Sequence, residues 1–208
     1  MKPYKAIAFD LDGTLINTLD MNMYPLMRII EEELGEVWTF RQVLRFASQP
    51  GLKTMADLGI RDIEGTYARW VRYVNEYETG AVPFEGIRQV LQAFQTAGIR
   101  MAAVTAKMHA QYEIDIVGNG LGDFLETAVL ADDTALHKPH PEPILLCLKR
   151  MGLSPGDVLF VGDAITDRQA ADAAGVDFGF AAWGAVSADG METARYRFDK
   201  PEDLLALL

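Results

Sequence analysis

The sequence predicts an α/β protein, a Rossmann-like parallel sheet with helices on both faces, interrupted once by an all-helical insert. Short apolar runs alternate with amphipathic stretches of about three turns, the signature of strand–helix units feeding a parallel sheet. Residues 15–83 break that alternation and read as helical throughout. The carboxyl ends of the apolar runs collect polar side chains, and ligands gather beyond those ends in such sheets.

In order along the chain, AIAFD (6–10) reads as the first buried strand. INT (16–18) and TGAVP (79–83) read as two connecting strands of a hinge, flanking MNMYPLMRIIEEELG, TFRQVLRFA and IEGTYARWVRYVNEY. The expected division is therefore a core of residues 1–15 and 83–208 with a helical cap at 16–82, placed to act as a lid. EGIRQVLQAFQTAG (85–98) carries Ile87, Val90, Leu91 and Phe94 on one helical face and stops at Gly98. IRMAAVT (99–105) predicts a strand, 109–117 a helix, and FLETAVL (124–130) another strand. PEPILLCLKRMG (141–152) predicts a helix with proline in its first turn and glycine at its stop. DVLFVGD (157–163), TDRQAADAAG (166–175) and VDFGFAA (176–182) continue the alternation, and Pro201 opens a short terminal helix.

A length of 208 residues allows one sizeable core plus an insert. The formal charge of −11 argues against a polyanion such as DNA or RNA as partner, because no basic surplus exists to displace counterions. A small phosphorylated ligand remains compatible, since a local cation reverses the sign nearby. Cys147 is the only cysteine and lies in an apolar run, so it reads as packing and not as half of an internal disulfide. MKPYK passes directly into a strand, and no apolar stretch approaches the ~18 residues of a membrane span. A cytoplasmic location is the expectation, as monomer or homodimer.

The residues at the strand ends suggest chemistry. Asp10 and Asp12 flank one leucine where the first strand stops, and strand alternation sends both to one side, so something positive is expected between them. Thr105 ends the second strand, Lys138 precedes the 141–152 helix, and Gly162-Asp163 end the fourth strand, with Thr166 and Asp167 just beyond. The intervals of 33 and 25 residues from Thr105 to Lys138 and from Lys138 to Asp163 each approximate one strand–helix unit. Any one of these groups alone would be an ordinary cap or turn residue. Together at one end of a sheet they suit phosphoryl transfer: several carboxylates demand a cation, and hard oxygen donors select Mg²⁺. One carboxylate would attack phosphorus, a second would protonate the leaving oxygen, and Lys138, the Thr105 hydroxyl and loop N–H groups would hold the phosphoryl oxygens.

These residues resemble the haloacid dehalogenase superfamily of phosphohydrolases. Its D-x-D-G-T stands here as Asp10-Leu11-Asp12-Gly13-Thr14, its strand-ending Ser or Thr as Thr105, its lysine as Lys138 in HKPHPEP, and its G-D-x-x-x-D as Gly162-Asp163 to Asp167. The resemblance implies Asp10 as nucleophile and metal ligand, and Asp12 as general acid/base with its backbone carbonyl on Mg²⁺. It implies Asp163 as metal ligand and Asp167 as a supporting residue acting through water or Lys138. Thr105 and Lys138 would bind the phosphoryl group together with Leu11 and Ala106, and Thr14 would support the loop. The core phrasing is similar to phosphoglycolate phosphatases, and the insert to the family's first type of cap, which closes over small substrates.

The resulting expectation is a Mg²⁺-dependent phosphatase of a small phosphorylated metabolite. The alternatives are a β-phosphoglucomutase-like phosphotransferase and a non-catalytic phosphate-binding module. Asp12 and Asp163 count against a true dehalogenase, which needs neither leaving-group protonation nor Mg²⁺. His109, His137 and His140 lack a metal-ligand spacing and read as loop or turn residues, while Tyr67, Trp70 and Tyr73 read as packing between cap helices.

Overall fold

A computed structural model describes residues 3–47 and 49–208. The chain divides into two compact units, Met1–Asn17 with Pro83–Leu208, and Thr18–Val82. The first unit is built on six parallel strands: β1 Ala6–Phe9, β4 Arg100–Val104, β5 Thr127–Val129, β6 Val158–Gly162, β7 Asp177–Ala181 and β8 Tyr196–Phe198. Their order across the sheet is β5-β4-β1-β6-β7-β8. The first strand of the chain therefore lies in the interior of the sheet, with Ala8 paired to Ala102 on one side and to Phe160 on the other. The two short strands β2 Ile16–Asn17 and β3 Val82–Pro83 form a separate two-stranded pair.

Alternation along the strands divides the core. Ala6, Ala8, Ala102, Val104, Val158 and Phe160 face one side and pack with Ile144, Cys147 and Leu148 of helix α7 (Glu142–Met151) and with Ala170, Ala171 and Ala174 of α8 (Ile165–Ala174). Alanine at six of those strand and α8 positions keeps the helices close to the sheet. Ile7, Phe9, Met101 and Ala103 point to the opposite face, where α5 (Ile87–Thr96) packs on β4. Both α7 and α8 stop at a left-handed glycine, Gly152 and Gly175, whose N–H groups close the last turn.

The second unit is helical: α1 Leu19–Leu34, α2 Phe40–Val43, α3 Gly51–Asp57 and α4 Ile63–Asn75. Its own core contains Met23, Leu26, Ile29, Ile30, Met55 and Trp70. The Trp70 indole N–H donates to the Asn22 carbonyl at 3.1 Å, tying α4 to α1. On the wet side of the same pair, Arg69 reaches Glu32 and Glu33, and the Tyr73 hydroxyl donates to Glu32. No helix among the described residues is long and apolar enough to cross a membrane.

Several expected elements differ. The stretch 124–130 yields a strand only over 127–129, because Gly122–Phe124 close a 3-10 turn before it. The expected helix at 109–117 is one α turn, α6 His109–Tyr112, followed by a π-helical Glu113–Val117. The terminal helix is 3-10, Pro201–Leu207. Strand β8 was not expected, since RYRFDK lacks an apolar run: it is an edge strand with only Phe198 buried. The sheet unit runs on to Asn17, and Ile16 is buried and belongs to β2.

Phe160 is fully buried in β6, between the interior strand and β7. Phe160→Ala is expected to destabilise by about 3–5 kcal/mol, read as a lowered urea midpoint with an unchanged slope.

Candidate active site

Asp10 follows β1 and still belongs to the sheet, its N–H donating to the Val161 carbonyl at 2.8 Å. The chain then turns within five residues. The Leu11 carbonyl accepts N–H bonds from Thr14, Leu15 and Ile16 at 3.1, 2.9 and 3.0 Å, and Gly13 donates to Ile16. Gly13 adopts φ +78°, and a Cβ there would run into the Asp163 carboxylate. Glycine thus satisfies two demands at once, a left-handed turn and a close approach to a neighbouring strand end. The Thr14 hydroxyl donates to Asp163 Oδ1 at 3.3 Å, and the Trp183 indole N–H, from the segment after β7, to the Thr14 carbonyl at 3.0 Å.

Around this loop the other strand ends converge. Asp163 follows β6, Asp167 sits in the first turn of α8, Thr105 follows β4, and Lys138 lies in the turn before α7. The Lys138 ammonium is 2.7 Å from Asp10 Oδ1 and 2.6 Å from Asp167 Oδ1, and it also donates to the Val104 carbonyl at 3.2 Å. Its approach to Asp167 is an ion pair outside good hydrogen-bond angles, whereas Asp167 Oδ2 accepts the Ala164 N–H at 3.0 Å. All three side chains are 10 % exposed or less, so these charges act in low dielectric.

Asp10, Asp163 and Asp167 each bring an oxygen within 4.8 Å of the others, the one such grouping of metal-capable side chains among the described residues. Three carboxylates against one ammonium leave an excess of two negative charges. Burial, then the Asp167 charge, lift the Asp10 carboxyl from its ordinary 3.8 to about 7, although Lys138 opposes the rise. Asp163 is pushed well above the usual carboxylate range by burial, then by Asp167 and Asp10. Burial pulls Lys138 down, but Asp10 and Asp167 outweigh it and hold the ammonium above the ordinary lysine range. The donor set fits a hard divalent cation: oxygen ligands only, crowded, buried and short of positive charge.

The remaining expected residues fall in different places. Asp12 is not in the acidic grouping; its Oδ1 lies 3.0 Å from Lys107 Nζ. Thr105 is buried at the β4 end, its hydroxyl accepting the Lys107 N–H at 3.1 Å. Leu11 is fully buried and Ala106 is exposed. Asp167 stands among the three grouped carboxylates as well as against Lys138. Lys107 itself was missed: it follows the strand-ending Thr by two residues, but nothing in the sequence spacing joins it to Asp12. His109 pairs with Asp132 at 2.8 Å and His140 accepts the Glu142 N–H, both away from the acidic grouping. Burial raises the Cys147 thiol to about 12, which suits an inert core residue.

Comparison with known proteins identifies the family. Residues 7–181 match the family model of the haloacid dehalogenase-like hydrolases. Pyrophosphatase PpaX of Bacillus velezensis is 28 % identical over 207 residues, covering 98 % of this chain and 96 % of that protein. Phosphoglycolate phosphatase of Thiobacillus denitrificans is 30 % identical over 185 residues, covering 83 % and 81 %. A crystal structure from Lactobacillus plantarum, provisionally assigned as a phosphoglycolate phosphatase, superposes with a TM-score of 0.90 at 28 % identity over 99 % of this chain and 100 % of that one. The chain belongs to the haloacid dehalogenase-like hydrolases.

Two outcomes follow from the site. Without divalent cation, the unfolded chain releases the Asp10 proton near 3.8 while the folded site holds it to about 7. The folded state therefore binds more protons across that window, and stability should fall as pH rises through it. Melting curves in EDTA should show the decline, and saturating Mg²⁺ should reduce it. Gly13→Ala should leave a folded protein whose catalytic rate drops by about 10²-fold, because the loop must shift away from Asp163; circular dichroism and turnover together check it.

Proposed function

We propose that the chain is a Mg²⁺-dependent phosphatase of small phosphorylated metabolites, working through an aspartyl-phosphate on Asp10. The observation that carries this reading is the buried Lys138–Asp10 pair at the end of an interior strand, set beside two further carboxylates. Such an arrangement keeps one carboxylate oriented, dry and surrounded by charge that only a cation can balance. When bound by Asp10 and Asp163, with Asp167 in support, Mg²⁺ would supply the positive charge that lets an anionic nucleophile approach an anionic phosphoryl group.

The chain's own residues then divide the work. An Asp10 oxygen forms a bond to phosphorus while the bond to the leaving oxygen breaks, and Asp12 gives that oxygen its proton. In the second half, Asp12 takes a proton from water as the water oxygen attacks phosphorus and releases Asp10. Lys138 holds Asp10 in place and, with the Thr105 hydroxyl and the N–H groups of Leu11 and Ala106, carries the phosphoryl oxygens. Thr14 steadies the loop through Asp163.

The names of the relatives support a small phosphate ester or anhydride: phosphoglycolate in one group, pyrophosphate in the other. The test is phosphate release from p-nitrophenyl phosphate, phosphoglycolate and pyrophosphate with and without Mg²⁺. Wild-type protein should turn over at least one of the three only with the cation. Asp10→Asn should lower that rate by at least about 10³-fold, and wild-type rates in this variant would disprove the nucleophile.

A further inference from the structure

We propose that Lys107 is a positioning residue for Asp12, anchored from behind by the buried Asp115. The proposal rests on the phosphatase reading above, in which Asp12 exchanges the proton with the leaving oxygen.

The Lys107 ammonium lies between two carboxylates, 3.0 Å from Asp12 Oδ1 and 2.6 Å from Asp115 Oδ2. Its side chain is 9 % exposed and that of Asp115 2 %, whereas Asp12 keeps 35 %. Asp115 also accepts the Gln111 amide at 3.0 Å, and its own carbonyl accepts Asn119 Nδ2 at 2.9 Å. It sits in the π-helical turn Glu113–Val117, a local widening that recurs at functional sites. The Lys107 backbone is clamped as well, its N–H on Thr105 Oγ1 at 3.1 Å and its carbonyl accepting the Ala131 N–H at 2.8 Å. A rigid strand end thus extends a rigid cation to the more accessible carboxylate.

The chemistry gives that arrangement a purpose. As the Asp10–phosphorus bond forms and the phosphorus–leaving-oxygen bond breaks, the proton on Asp12 passes to the leaving oxygen, which departs as the alcohol or phenol. An aspartate with two side-chain torsions and partial exposure samples several orientations unless one oxygen is held. Lys107 holds Oδ1, and Asp115 keeps Lys107 from following solvent. Lys107 touches neither substrate nor reacting atoms in this role; it acts through Asp12.

The experiment compares phenyl phosphate with p-nitrophenyl phosphate, two esters of similar shape whose leaving groups differ in their need for a proton. Lys107→Met should reduce kcat/KM for phenyl phosphate by about 10²-fold through kcat, and for p-nitrophenyl phosphate by less than about tenfold. Because that variant strands the Asp115 charge, Lys107→Met/Asp115→Leu is measured beside it, with thermal melting as the check on folding; whichever is folded should show the same leaving-group dependence. In an Asp12→Asn background, removing Lys107 should cost nothing further. Equal losses on both esters, no loss, or an undiminished loss in the Asp12→Asn background would overturn the positioning role while the phosphatase reading stands. Wild-type protein that releases phosphate from neither ester would overturn both.

Discussion

The site is organised by one constraint: more buried negative charge converges at the carboxyl ends of the strands than the protein's own cations neutralise. Lys138 meets Asp10 and Asp167 at once, at 2.7 and 2.6 Å, and an ammonium cannot fully compensate two carboxylates. Asp163 stands close by and is pushed toward protonation by burial and by its neighbours. Charge left unbalanced in low dielectric costs stability. A fold retains such an arrangement where something it binds completes it. The excess is therefore a statement about function made in the language of energetics, and it matches the family to which the chain belongs.

Everything nearby serves to hold these carboxylates closer than they would choose. Interior strands β1 and β6 bring Asp10 and Asp163 to adjacent ladder ends, with no adjustable loop between the sheet and either side chain. Glycines permit the rest of the crowding. A Cβ on Gly162 would collide with the Asp167 side chain, as one on Gly13 would with Asp163. The Ala164 N–H holds Asp167 Oδ2, so the helix that carries Asp167 begins with its carboxylate already oriented. Packing enforces this in turn: Phe160 and Val161 are fully buried immediately before Gly162-Asp163. Core stability is what opposes the repulsion at the strand ends.

Most of this frame was legible in the sequence because it rests on short-range rules. The apolar runs of β1, β4, β6 and β7 are buried on both faces and announce themselves, and helices α5, α7 and α8 carry a one-sided apolar pattern with glycine at or just beyond the end. The strand-end residues follow from that alternation. What was not legible depends on the third dimension. Strand β8 buries only Phe198 of its three residues, so its sequence carries no apolar run. Asp115 carries no sequence signal of its own, yet it is buried in the π-helical turn. Lys107 stands beside a strand-ending Thr, but its two partners come from the loop after β1 and from the segment after β4, and no spacing rule joins them.

The two lysines explain why the acidic residues do not form one undifferentiated cluster. Five aspartates, at 10, 12, 115, 163 and 167, share two ammonium groups, and each ammonium takes a pair. Lys107 draws Asp12 away from the grouping of Asp10, Asp163 and Asp167, while Lys138 occupies the Asp10–Asp167 side of that grouping. Asp163 is the one of the five with no lysine within ion-pair distance among the described residues, and it accepts the Thr14 hydroxyl. The shortage of positive charge is thus greatest on the Asp163 side of Asp10. A cation held by Asp10 and Asp163 would supply positive charge where the lysines supply least. Two cations thus divide one pool of carboxylates into a pair on Lys107, a pair on Lys138, and Asp163 beside them.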